Sequence, residues 1–155
     1  IDTRKTVPGL RTIDKIAVKL SGCSNHRFGL YDMFLIKDNH IEAAGSIAKA
    51  ISLCKKYRKK KNHNYKIEVE TTNLPQVEEA IGCGVDIIML DNFNLTDMRK
   101  AVELINGKCL IEASGNVNLD NVKQIAETGV DFISVGAITH SAKALDISLE
   151  LKLVK

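Results

Sequence analysis

The sequence has no apolar run approaching the roughly 20 residues that a membrane-spanning helix requires, and it carries no signal-peptide pattern, so neither a membrane span nor secretion is expected. Cysteine is sparse. Cys23, Cys54, Cys83 and Cys109 form no C-x-x-C pair, and each lies in or beside an apolar segment as a small buried hydrophobe does. That argues against a disulfide framework or a thiolate metal centre, and for a reduced, cytoplasmic setting. No excess of one charge sign exists either: Lys and Arg number 22 against 19 Asp and Glu, and a net charge of +3 is too small to imply nucleic acid. Neither G-x-G-x-x-G nor a P-loop is present, which removes the common glycine-rich cradles for dinucleotides and nucleoside triphosphates. An initiator Met is also missing. Strand-like residues are under way at Ile1, and the sequence reads as part of a longer protein.

What is present suits a soluble globular domain: 45% hydrophobic and 26% charged residues, enough to bury one core. Short apolar strands alternate with segments of helical period. Leu10, Ile13, Ala17 and Leu20 share one face of a helix that stops near Gly22, and Met33 to Ile36 reads as a buried strand. A helix from Ile41 places Ala44, Ile47, Ala48, Ile51 and Cys54 at its spacing. Strands are expected at 66–70, 85–90, 108–113 and 130–135, with helices starting at Asn73, Asn94 and Asn118 between them. With a strand at Ile1 the count is six. Strict alternation argues a parallel sheet with helices outside it. Glu70, Asp91, Ser114 and Gly136 fall at strand ends and recur every 21 to 23 residues, a short unit that favours a parallel (β/α) barrel, incomplete at its N-terminus, over an open sheet.

The end of the sequence breaks this pattern. Ile147, Leu149, Leu151 and Leu153 alternate with polar residues, as in a half-buried strand. The expected organisation is therefore a barrel over residues 1–145 and a tail strand over 146–155 that returns to a second, upstream domain.

Functional groups of such barrels gather at the carboxyl ends of the strands. Here those ends carry Arg4 and Lys5, then Lys37, Glu70, Asp91, Glu112 with Ser114 and Gly115, and finally Gly136. Asn25-His26-Arg27 adds a cation and an imidazole from the loop before the second strand. Two adjacent cations before the Pro8-Gly9 turn need an anion to justify desolvation. Glu70 and Asp91 facing one mouth want a cation, a metal or ligand hydroxyls between them. Backbone N–H groups of Ser114, Gly115 and Gly136 suit a phosphate. Each feature also has a plainer reading: the carboxylates as helix caps, the glycines as turns, His26 and His140 as structural. The basic run from Lys55 to Lys61 reads as a solvated helix C-terminus whose dipole favours cations, not as a nucleic-acid site.

Seven segments, in order, resemble the quinolinate phosphoribosyltransferase family (carboxylating nicotinate-nucleotide pyrophosphorylases): Asp2–Thr6 with Pro8–Arg11, Asn25–Leu30, Leu35–His40, Ile67–Glu70, Ile88–Phe93, Glu112–Asn116 and Ser134–His140. The resemblance implies transfer of a phosphoribosyl group from phosphoribosyl pyrophosphate to the ring nitrogen of quinolinate, with loss of one carboxylate as CO2 and assistance from Mg2+. It assigns Arg4, His26 and Arg27 to the quinolinate carboxylates. Lys5 and Lys37 go to the pyrophosphate and the anionic groups between the substrates, Glu70 and Asp91 to the ribose hydroxyls and, directly or indirectly, the metal. Ser114, Gly115 and Gly136 go to the 5′-phosphate. Of these, Lys5, Lys37, Glu70 and Asp91 are the expected catalytic set. The family's N-terminal sandwich domain has no counterpart here, and a dimer or dimer-based oligomer is expected of the full-length protein. Two other readings stay open: a paralogous barrel with a different acceptor, and a phosphosugar-binding fragment without turnover.

Overall fold

Five apolar stretches, most of them too short to make a helix, form a single parallel sheet: β1 (Phe34–Ile36), β2 (Ile67–Thr71), β3 (Ile87–Asp91), β4 (Leu110–Ser114) and β5 (Phe132–Ile133), hydrogen-bonded in sequence order. They are seen in a computed structural model that describes residues 1–153. Between them run α1 (Arg11–Leu20), α2 (Asp38–Ala44), α3 (Ile47–Lys61), α4 (Leu74–Cys83), α5 (Leu95–Ile105), α6 (Val122–Ala126) and α7 (Ala137–His140). No helix among the described residues is long and apolar enough to cross a membrane.

Local chemistry sets the element boundaries. The side chains of Asn73 and Asn94 accept from the backbone N–H of Gln76 (3.1 Å) and Asp97 (2.9 Å), capping α4 and α5. Two aspartates pin the register at the opposite end of the sheet. Asp86 accepts from the Ile67 N–H at 2.8 Å and Asp131 from the Ile111 N–H at 2.8 Å, each reaching across to the start of a neighbouring strand.

The strands alternate in what they face. Ile67, Val69, Ile88, Leu90, Ile111 and Ala113 belong to the hydrophobic core, which lies between the sheet and the helices. The intervening residues, Leu35, Glu68, Glu70, Met89, Glu112 and Ser114, point to the other side. There the sheet curls far enough to bring the non-adjacent β2 and β4 to a common side chain: His26 Nε2 lies 3.0 Å from Glu68 Oε2 and 3.5 Å from Glu112 Oε2. The inner face of the curled sheet thus sets carboxylates beside Leu35 and Met89, and the main apolar layer lies outside it.

The expected strand at Ile1 is present as an extended segment without full strand pairing. The Ile1 nitrogen donates to the Ile133 carbonyl (2.7 Å) and its carbonyl accepts from Val135 (3.0 Å), so the segment lies along the free edge of β5. Asp2 N–H in turn donates to Ser24 O at 3.2 Å, which extends the curl to the segment leading into His26.

Two expectations are corrected. The long helix from Ile41 is two helices, because Gly45 adopts φ +87° and Ser46 caps α3 by accepting from Lys49 N–H at 3.2 Å. The apolar stripe of α1 does not face the core. Lys15 and Val18 are its buried residues, while Leu10, Ile13, Ile16 and Leu20 are exposed. Beyond Ser141 there is no helix or strand among the described residues, and Ile147, Leu149, Leu151 and Leu153 are 82–99% exposed. The last two positions of the expected tail strand, 154–155, lie outside the described residues.

Candidate active site

Asp2 organises the first part of the site. It is fully buried, and its carboxylate accepts from Lys15 Nζ (2.8 Å), the His26 N–H (2.6 Å) and Asn25 Nδ2 (2.9 Å). One aspartate therefore ties the segment carrying Arg4 and Lys5 to α1 and to the segment carrying His26 and Arg27. Thr139 Oγ1 donates to the Lys5 carbonyl at 2.6 Å and so ties α7 to the same segment.

Around this frame opens a pocket of about 790 Å³. Arg4, Lys5, His26, Arg27, Lys37, Glu70, Asp91, Ser114, Gly115 and Gly136 all line it, so the residues assigned by the resemblance share one cavity, whereas Glu112, also expected at a strand end, does not line it. Burial, and after it the neighbouring Arg4 guanidinium, lower the Arg27 pKa from its ordinary value. The Nε of Arg4 is buried and has no hydrogen-bond partner. Two adjacent guanidinium groups, one with an unmet donor, make one end of the pocket a receptor for an anion.

Carboxylates stand on the strands between. Glu70 accepts from Lys37 Nζ at 2.5 Å, a pair that is only partly screened because Glu70 is nearly buried. Asp91 ends β3 and accepts from Asn92 Nδ2 at 2.9 Å. At the far end Gly115 has φ +99°, and a Cβ there would collide with the Asn92 side chain and stand 2.9 Å from the Asn92 backbone nitrogen. Only glycine lets these two strand ends approach so closely. A Cβ on Gly136 would meet His140 Nε2 at 2.9 Å, and Lys5 passes beside it.

His26 lines the same pocket, and its ring is held at both nitrogens. Its Nδ1 accepts from the Arg27 N–H at 2.6 Å, which leaves the ring proton on Nε2, the atom that faces Glu68 and Glu112. Burial lowers its pKa, so the ring is neutral near pH 7. Burial raises Glu68 to about 7 and, with the added charge of Glu68, Glu112 to about 8.

Sequence reasoning passed over Glu68 as a site residue, although its position two residues before Glu70 on one strand face was the available signal. Asn92, Asn116, Ser134 and His140 also line the pocket. Asn92 and Asn116 follow strand ends with φ of 55° and 50°, and Asn116 Nδ2 donates to Asn92 Oδ1 at 3.0 Å. The basic run behaves as a helix end. α3 continues to Lys61, with Arg58 on Asp86 (3.0 Å) and Lys55 on the Cys83 carbonyl (2.5 Å).

Residues 1–150 match the family described as quinolinate phosphoribosyl transferase, C-terminal domain. The chain is 49% identical to the chloroplastic nicotinate-nucleotide pyrophosphorylase [carboxylating] of Arabidopsis thaliana, over 97% of this chain and 48% of that protein. It is 48% identical to a probable enzyme of that name from Bacillus subtilis (strain 168), over 98% of this chain and 52% of the relative. A solved nicotinate-nucleotide pyrophosphorylase from Francisella tularensis superposes with a TM-score of 0.89 at 51% identity, covering 95% of this chain and 51% of that one. The chain thus spans about half the length of the relatives it matches. With the fold, the pocket and these likenesses in agreement, the chain belongs to the quinolinate phosphoribosyltransferase family, in the region of its C-terminal domain.

Proposed function

We propose that this chain supplies the catalytic barrel for phosphoribosyl transfer from phosphoribosyl pyrophosphate to the ring nitrogen of quinolinate, with decarboxylation to nicotinate mononucleotide, a step of NAD biosynthesis. The observation that carries the reading is the Arg4–Arg27 pair with its unmet buried donor, in one pocket with Glu70 and Asp91. A planar dicarboxylate satisfies two guanidinium forks at once, and their fixed geometry orients the ring. His26 closes that end from below.

In this reading the ring nitrogen attacks the ribosyl C1 as the C1–O bond to pyrophosphate breaks and pyrophosphate leaves with the electron pair. Glu70 and Asp91 hold the ribose hydroxyls and stabilise positive charge developing on C1. Lys5 and Lys37 neutralise the departing pyrophosphate. Ser114, Gly115 and Gly136 present backbone N–H groups to the 5′-phosphate. The carboxylate next to the quaternised nitrogen then leaves as CO2. Its bonding electrons are accommodated beside the ring cation until a solvent proton replaces the lost group, and no protein nucleophile is needed.

Two acidic side chains with free carboxylate oxygens at neighbouring strand ends fit a hard cation that keeps most of its ligands from water and phosphate, so Glu70 and Asp91 would hold Mg2+, directly or through water. The ion would supply charge neutralisation at the pyrophosphate. The unpartnered tail at 146–153 and the outward apolar face of α1 support pairing with an N-terminal sandwich domain, in a dimer or dimer-based oligomer. Four free cysteines suit a cytoplasmic setting.

The test is to titrate phosphoribosyl pyrophosphate with and without carboxyl-labelled quinolinate while following CO2 and pyrophosphate. Release of both in equal amounts supports the reading. Pyrophosphate release with another acid but not with quinolinate would replace it with a paralogous activity. Binding without turnover, persisting when the N-terminal half of a relative is added, would leave a binding module.

A further inference from the structure

Below the pocket lies a group of side chains that the proposed reaction does not use. Glu68 sits one layer beneath Glu70 on the same face of β2, and Glu112 one layer beneath Ser114 on β4. Their exposures are 0% and 1%. Both oxygens of Glu68 and Oε1 of Glu112 are buried without a hydrogen-bond partner, a setting in which an unmet polar atom destabilises the fold. His26, Glu68 and Glu112 lie close enough together to hold a metal ion. A cation is a poor occupant, however, because the charges of Arg27, Lys15 and Lys37 already bear on these three groups.

The contacts instead form a chain that leads upward into the pocket. Glu68 and Glu112 meet His26 at Nε2, and Nδ1 of the same ring receives the Arg27 N–H. Glu68 also attracts the Arg27 guanidinium, which Arg4 repels. Two like charges held side by side without ligand need such a counterweight, since otherwise substrate binding would have to gather them.

We propose that Glu68 and Glu112 are positioning residues for the acceptor end of the pocket: standing together at His26 Nε2, they fix the imidazole by that edge, and His26 fixes Arg27 beside Arg4. The inference deepens the quinolinate reading and rests on it.

The experiment compares Glu68→Leu, Glu112→Leu and Glu112→Gln with the parent chain. Quinolinate and phosphoribosyl pyrophosphate are titrated separately by calorimetry, and the His26 tautomer is read from its ring ¹⁵N signals. Each Leu variant is expected to weaken quinolinate about tenfold with phosphoribosyl pyrophosphate affinity held within about twofold, and to shift the His26 signals. Glu112→Gln, whose amide oxygen can still face His26 Nε2, recovers most of the loss. If a Leu variant does not fold, the double variant Glu68→Met with Glu112→Met nearly keeps the volume, removes both carboxyl groups without leaving an acceptor amide, and carries the same expectation. Folded variants with parental quinolinate affinity and unmoved His26 signals overturn the inference, as does an equal loss for both ligands. A parent chain that does not bind quinolinate overturns the functional reading instead, and the His26 signals alone then decide the positioning role.

Discussion

Lys15 Nζ lies 2.8 Å from Asp2 Oδ1 with both side chains withdrawn from solvent, so a buried ion pair joins α1 to the segment that carries Arg4. Breaking such a pair from one side leaves an uncompensated charge. Lys15→Met is therefore expected to cost about 3–5 kcal/mol, read by chemical denaturation. The double variant Asp2→Asn with Lys15→Met should recover part of that loss. A single variant with parental stability would show that the pair is not what holds the segment.

Arg4 and Asp91 both line the pocket and should fail differently. Arg4→Ala is expected to weaken quinolinate at least tenfold more than phosphoribosyl pyrophosphate, as removal of a charge-assisted contact does, whereas Asp91→Asn mainly lowers turnover. Separate titrations and steady-state rates decide. Equal loss of affinity for both substrates in both variants contradicts these roles.

Gly115 combines φ +99° with a close approach to Asn92. Gly115→Ala is expected to lose more than about 1 kcal/mol of stability and to reduce phosphoribosyl pyrophosphate affinity more than quinolinate affinity. Thermal unfolding and two titrations check it; a neutral outcome would remove the argument that this turn shapes a phosphate cradle.

Stability should fall as pH rises from 6.5 to 8. Glu68 and Glu112 are raised from 4.5 to about 7 and about 8, so the folded chain holds more protons than the unfolded chain across that range. Their contribution is complete below 4.5 and is lost as pH climbs through the folded values. His26 is shifted the other way and acts only below 6.5, where it makes stability rise with pH. Denaturant midpoints measured across the window should decline in the parent and flatten in the Glu68→Gln, Glu112→Gln double variant. A flat parental profile contradicts the burial argument.

Joining the N-terminal half of a relative to this chain is expected to slow hydrogen exchange at residues 146–153. Amides there that still exchange at the rate of an open chain would mean that the tail is not a strand awaiting a sheet.

The strand ends were legible because they repeat at a regular interval and each carries a polar residue after an apolar run. What stayed hidden depends on long-range partners. Lys15 occupies a buried helix position because Asp2, far from the helix face in sequence logic, meets it there; helical period alone assigns that side to Leu10, Ile13 and Leu20. Gly45 and Ser46 divide a helix whose apolar spacing continues almost unbroken across them. His26 reads as a loop residue, since only the pairing of Asp2 with Ser24 brings its segment along the barrel wall. Glu68 sits inside a strand that reads as an interior run, and its charge gives no sign of which wall it faces until the sheet has curled.

The alternation along β2 has a further consequence for how this domain can change over time. Ile67 and Val69 are buried in the hydrocarbon layer, whereas Glu68 and Glu70 serve the cavity. Substitution at the second set can revise what the cavity accepts while the first set keeps the fold. Loss or gain of one residue within the strand would exchange the two sets, sending carboxylates into hydrocarbon and branched alkyl groups into the cavity. Sequence drift in this strand is free to alter chemistry by replacement, but length within it is fixed.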